Sequence, residues 1–188
     1  LAPWRLGLTT DPHGLKTPSA WVCRWAELIP ASGRVLDVAC GSGRHARYLA
    51  GRGHPVEAVD RDPALLAALA GVPGVTTRCA NIEGGPWPYD GQSFAGIVVT
   101  NFLHRPLFPH LLAALAPEGV LIYETFAVGN ERYGRPSNPA FLLNPGELLE
   151  VVRGRLRVIA YEDLSVSDPK PAVVQRICAI NSSLDRSN

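Results

Sequence analysis

Between residues 34 and 126 the chain repeatedly alternates short apolar runs with helix-forming segments, and this alternation restricts the fold more than any other feature. The runs fall at residues 34–38, 56–59, 76–79, 94–100 and 120–126, most of them built from Val, Leu, Ile, Ala and Phe. A strand with one wet face alternates polar and apolar residues, whereas a continuous apolar run suits a strand covered on both faces. Helical segments are predicted at 43–52, 63–70 and 107–116, with Pro63 in a first turn and Gly53 after a last one. Parallel strands require such crossovers, so the pattern predicts an α/β doubly wound three-layer sandwich with a mostly parallel sheet.

The two ends depart from this rhythm. Residues 1–30 form a Pro- and Gly-punctuated lead followed by "KTPSAWVCRWAELIP", where Trp21, Val22, Trp25, Leu28 and Ile29 recur at helical spacing. Thr17 is the expected cap, Pro18 suits the first turn, and the Trp21–Trp25 pair is expected to pack on the sheet. After the core at 31–126, residues 127–144 form a long polar loop, and residues 145–181 supply a helix near 145–152 and strands at 156–164 and 172–180. The connection "SVSDPKP" leaves no room for a crossover helix, so these last strands pair antiparallel or lie apart. The tail "NSSLDRSN" is expected to fray. The 188 residues suit a single domain.

A net charge of +1 creates no field that would gather polyanions and argues against a dedicated nucleic-acid binder. Cys23, Cys40, Cys79 and Cys178 lie far apart, which suggests neither a metal site nor a disulfide framework and points to reduced thiols in the cytoplasm. The apolar runs are much shorter than the ~20 residues a bilayer requires, so no membrane partner is expected. Nothing in the sequence distinguishes a monomer from a dimer.

The stretch "VLDVACGSGRHARYLA" passes from strand to helix through a glycine turn, and Asp60 closes the next strand, where a carboxylate can accept ribose hydroxyls. Gly41 and Gly43 are expected to let the backbone approach a ligand. A dinucleotide and S-adenosylmethionine compete for this pattern, since Gly41, Gly43 and Ala46 also satisfy the relaxed dinucleotide fingerprint. Asp37 tips the balance: its negative charge repels a pyrophosphate but favours a sulfonium ligand with an ammonium group. Neither a Y-x-x-x-K pair nor a G-x-x-x-x-G-K loop occurs.

With "VEAVDRD", "CANIEGGPWP", "IVVTNFLHRPLF" and "GVLIYETF" following in order, residues 34–180 resemble the class I S-adenosylmethionine-dependent methyltransferases, and within them the small bacterial TehB-like (tellurite-resistance-type) group. The resemblance implies a Rossmann-like seven-stranded sheet of order 3-2-1-4-5-7-6 with the last strand antiparallel. It also implies S-adenosyl-L-methionine as cofactor. Asp37, Gly41 and Gly43 would surround its methionine portion, Asp60 its ribose, and Arg61, Asn81 and Ile82 its adenine, with Asn101 near the methionine end. The family usually carries Asp where Asn81 stands; Asn retains an acceptor oxygen. Arg44 lies in the first turn of a helix, where the macrodipole disfavours cations, and is expected to contact the cofactor carboxylate.

On the acceptor side, His104 is a candidate general base, with a helix-start histidine bonded to backbone as the alternative. Glu124, inside an apolar strand, either pairs or reaches the site, and Tyr123 points to the other face. Arg132, Tyr133, Arg135 and Asn138, in a loop too long for a tight connection, are expected to line or close the acceptor pocket. In-line displacement from a sulfonium needs little acid–base chemistry. Asn101 is followed by Phe-Leu-His rather than an N-P-P-[FY] motif, and no Pro-Cys dipeptide occurs, so a small-molecule acceptor is expected. The alternatives are an RNA or protein methyltransferase with a partner subunit, or a non-catalytic cofactor-binding module.

Overall fold

The computed structural model describes residues 16–182; the lead at 1–15 and the tail at 183–188 lie outside the described residues. Seven strands, β1 (Val35–Val38), β2 (Val56–Asp60), β3 (Val75–Cys79), β4 (Phe94–Thr100), β5 (Leu115–Phe126), β6 (Arg157–Val166) and β7 (Ala172–Ile180), form one sheet in the order β3-β2-β1-β4-β5-β7-β6. The pairs from β3 to β5 are parallel, and β7 runs antiparallel to both its neighbours, as the helix-free connection before it requires. No helix among the described residues is long and apolar enough to cross a membrane.

The two-residue strand period sorts the buried side chains into two layers. Leu36, Val38, Ile97, Val99, Leu121, Tyr123 and Ile177 face one, and Val35, Val98, Val120, Ile122 and Cys178 face the other. The second layer is covered by α1 (Ala20–Trp25), α2 (Arg44–Gly51) and α3 (Pro63–Ala67), which contribute Trp21, Val22, Leu49 and Leu66. The first is covered by α4 (Phe108–Ala113) and α5 (Glu147–Val152).

Several boundaries differ from expectation for local reasons. α1 begins two residues later than Thr17 and Pro18 would place it, because Ser19 is the cap and accepts the Trp21 N–H at 3.1 Å. The Trp pair does pack on the sheet: Trp21 is buried, donates its indole N–H to the Ile177 carbonyl, and meets Trp25 edge-on at 5.7 Å. α4 stops at Ala113 rather than near 116, since Leu115 already pairs with Phe94, and the register shifts between Phe94 and Gly96 before pairing resumes.

Candidate functional site

β1 ends in a turn that holds the backbone open at the carboxyl edge of the sheet. Ala39, Gly41 and Gly43 all have positive φ, at 51°, 55° and 80°. The Cys40 N–H donates to the Val59 carbonyl and the Gly41 N–H to Asp60 Oδ2 at 2.9 Å, so the turn is tied to the end of β2. Asp60 Oδ1 accepts the Asp62 N–H at 3.0 Å. A carboxylate has about four lone-pair sites, so both oxygens keep capacity for hydroxyl donors. Gly43 serves a purpose the sequence does not disclose. A Cβ there would lie 2.3 Å from the end of Leu69, so this glycine also permits α2 to pack closely against the segment after α3.

Asp37, on β1, lies beneath this turn and is almost wholly buried. It accepts the Ala46 N–H, yet its Oδ2 has no hydrogen-bond partner. Burial pushes its carboxyl up to about 7, against the opposing pull of that N–H and of Arg44. A buried acceptor without a donor is costly, and a cationic ligand over the turn would supply one. The residues therefore fit a ligand with an ammonium group and a ribose.

The remaining expected cofactor residues gather along the same edge. Arg61 pairs with Glu83 at 2.8 Å, and Ile82 is buried in the core. Asn81 spends its side-chain oxygen on the N–H groups of Glu83 and Gly84, at 3.1 and 3.2 Å, so the acceptor expected for adenine shapes its own loop. Asn101 directly follows β4 at a φ of 54° and donates its N–H to the Glu124 carbonyl. It borders two cavities. One, of ≈ 890 Å³, includes Arg61, Glu83, Phe102 and the 127–144 loop. The other, of ≈ 220 Å³, includes residues 17–20, Arg44, Glu124 and Arg176. Arg44 and Arg61, expected at opposite ends of the cofactor, thus stand on either side of Asn101.

Among the acceptor-side expectations, Glu124 reaches the smaller cavity but is committed. Its Oε1 accepts the Ser19 hydroxyl at 2.6 Å and its Oε2 lies 2.5 Å from Arg176 Nε. His104 caps a short turn at Arg105–Leu107 and borders neither cavity; its carbonyl accepts the Leu107 N–H. Tyr133, Arg135 and Asn138 line the larger cavity, while Arg132 folds back so that its Nε–H donates to the Gly129 carbonyl. Asn138 also caps the following turn through the Ala140 N–H.

Sequence reasoning gave no site role to His45, Phe126, Lys170 and Arg176, which the structure brings to this edge. His45 is buried, accepts the Ser19 N–H at 3.0 Å and lies 3.4 Å from Thr100 Oγ1, while burial and the neighbouring Arg44 hold its imidazolium down to about 3. Arg176 had a signal, a lone charge inside an apolar strand; Lys170 had none, because only strand reversal brings it to this edge. Among the described residues no group of three His, Cys, Asp or Glu is arranged to hold a metal ion.

Comparison with known proteins agrees with this geometry. Residues 35–119 match the family described as methyltransferase domain. A tRNA U34 carboxymethyltransferase from Methylococcus capsulatus is 31% identical over 177 residues, covering 79% of this chain and 53% of that protein. Residues 35–119 therefore carry the pattern of a methyltransferase domain. The fold superposes on TehB from Haemophilus influenzae with a TM-score of 0.74 at 17% identity, over 92% of this chain and 65% of that one. It superposes on a TehB-like S-adenosylmethionine-dependent methyltransferase from Corynebacterium glutamicum with a TM-score of 0.62 at 22% identity, over 95% and 94%. The chain thus spans about half the length of its curated relative and just under two thirds of the Haemophilus protein.

Proposed function

We propose that this chain transfers a methyl group from S-adenosylmethionine to a small-molecule acceptor. The observation that carries the reading is the buried, donorless Oδ2 of Asp37 beneath the Gly41 turn, with Asp60 at the adjoining strand end. When bound, the cofactor supplies an activated methyl on a sulfonium. Asp37 would hold its ammonium, Asp60 its ribose hydroxyls, and Arg44 its carboxylate, while Gly41 keeps the turn bare. Arg61 and Ile82 would flank the adenine, with Asn81 shaping that loop, and Asn101 would stand near the methionine end. The protein's remaining task is to align the reactants and exclude water, so neither His104 nor Glu124 is assigned a proton transfer. Small acceptors are favoured because the larger cavity, at ≈ 890 Å³, has the capacity of a small-molecule site. The relative that acts on tRNA favours RNA as a second reading.

Calorimetry with S-adenosylmethionine, S-adenosylhomocysteine and nicotinamide dinucleotides tests the cofactor. Binding of the adenosylated ligands alone is expected, and Asp60→Ala should weaken it by about 1.5–3 kcal/mol, roughly ten- to a hundredfold. Tight uptake of a dinucleotide with indifference to S-adenosylmethionine would overturn the reading. Radiolabelled methyl incorporation into tRNA, but into no small molecule of a broad panel, would replace it with the second.

A further inference from the structure

The larger cavity carries two cations that have no ion-pair partner among the described residues. Arg135, in the 127–144 loop, and Lys170, between β6 and β7, both line it, and neither has a hydrogen bond or ion pair with a described residue. The other two charges of the wall cancel, because Arg61 pairs with Glu83. Nearby guanidiniums are all spent: Arg105 on Glu147 and the Ala140 and Leu142 carbonyls, Arg132 on the Gly129 carbonyl, Arg176 on Glu124 and Glu162. With Arg61 and Glu83 cancelling, Arg135 and Lys170 leave the wall of this cavity with an excess of two positive charges.

The segments bearing these cations are joined by a buried side chain. Asn130 is 2% exposed; its Nδ2 donates to the Pro136 carbonyl at 3.0 Å, directly after Arg135, and its Oδ1 accepts the Val173 N–H at 3.2 Å, three residues after Lys170. The loop and the β6–β7 connection are thus set relative to one another before any ligand arrives. Much of the remaining wall is apolar or aromatic, with Phe102, Leu103 and Phe141. Lys170 also borders the smaller cavity beside Asn101 and Phe126, so the positive charge extends toward the edge where the cofactor is placed.

From this arrangement we infer that the methyl acceptor is a small organic anion, its carboxylate or phosphate held by Arg135 and Lys170 and its apolar body against Phe102 and Phe141. The inference rests on the methyl-transfer reading and names its substrate class. Guanidinium and ammonium donors to an anionic oxygen make the stronger kind of hydrogen bond, and the apolar wall supplies area that an inorganic ion would not use.

The test uses the full chain saturated with S-adenosylhomocysteine, and the probes 4-hydroxybenzoate, 4-hydroxyphenyl phosphate, the neutral 4-hydroxybenzamide and a short single-stranded oligoribonucleotide. Both small anions should bind at least tenfold tighter than the amide, with affinity falling as salt rises. The double variant Arg135→Gln, Lys170→Gln, altered only at exposed positions, should lose at least tenfold for the anions while keeping its S-adenosylhomocysteine affinity. The tighter of the two anions identifies the head group. Equal affinity for acid and amide, or anion binding unchanged in the double variant, overturns the assignment while cofactor binding persists. Oligoribonucleotide binding tighter than either small anion, and lost in the double variant, overturns it in favour of an RNA backbone. Failure of the wild-type chain to bind S-adenosylhomocysteine overturns the methyl-transfer reading itself.

Discussion

Asp37 concentrates the chemistry of the site in one side chain. Its carboxyl is raised to about 7 because burial disfavours the charge and one oxygen has no donor. An ammonium group placed there favours the ionised form, so uptake of S-adenosylmethionine near pH 6 should release a proton. Calorimetry in buffers of different ionisation enthalpy is expected to show this release, and Asp37→Asn should abolish it. An unchanged binding heat across buffers would separate Asp37 from the cofactor ammonium. The identity and register of this residue were legible in the sequence, because an acid before a glycine turn needs no tertiary information to be noticed. What its neighbours do was not. Gly43 has Leu69 packed against it as well, and the Asn81 oxygen accepts from the N–H groups of its own loop, neither of which the residue types disclose.

Two sets of side-chain ties brace the edge that carries the polar loop. Across β5, β7 and β6, Glu124, Arg176 and Glu162 stand in register, so one guanidinium between two carboxylates joins three strands. Ser19 adds its hydroxyl to Glu124, which ties the start of α1 to the same row. The polar loop, too long for a tight connection, is held at several points. Ala127 bridges to Leu143, the Val128 N–H donates to the Leu143 carbonyl, and Arg105 spans Glu147 and the Ala140 and Leu142 carbonyls at 2.7–3.0 Å. Arg105 also holds the Glu147 carboxyl below its usual value, against the opposing effect of burial. Replacing Arg105 by Ala removes these bonds and should cost about 1–3 kcal/mol, discounted for the partial exposure of the pair. Urea unfolding measures the loss, and hydrogen exchange should show it first as weaker protection within 127–144. Full protection of that loop in the variant would mean that its other ties suffice. No local pattern could have disclosed the clamp, because Arg105 and its partners lie 35 to 42 residues apart.

At the scale of the whole molecule, Asp37 and His45 couple stability to pH with opposite signs. Asp37 is raised from 3.8 to about 7, so the folded chain keeps a proton that the unfolded chain gives up; its contribution is fully present below 3.8 and is lost as pH rises through about 7. His45 is lowered from 6.5 to about 3, so the folded chain lacks a proton that the unfolded chain holds; its contribution is present above 6.5 and is lost as pH falls through about 3. Between pH 4 and 6.5 the two slopes oppose, and the ligand-free chain should show a muted dependence from this pair. Asp37→Asn should unmask a rise of stability with pH over that interval, and His45→Gln a fall. Thermal or denaturant unfolding of both variants across pH 4–8 checks the signs, and parallel curves would show that neither group titrates as its burial implies.

By itself the sequence determined the succession of elements, the two-sided burial of the strands, the helix-free final connection and the glycine turn with its flanking acids. These features follow from periodicity, chain length and backbone preference, which act over a few residues. Only the tertiary structure decided that Ser19 bonds both His45 and Glu124, that Arg176 is spent on two carboxylates, and that Arg135 and Lys170 face one cavity. Hydrogen bonds and ion pairs join whichever groups the packed sheet brings within about 3 Å, and distance along the chain carries no record of that meeting.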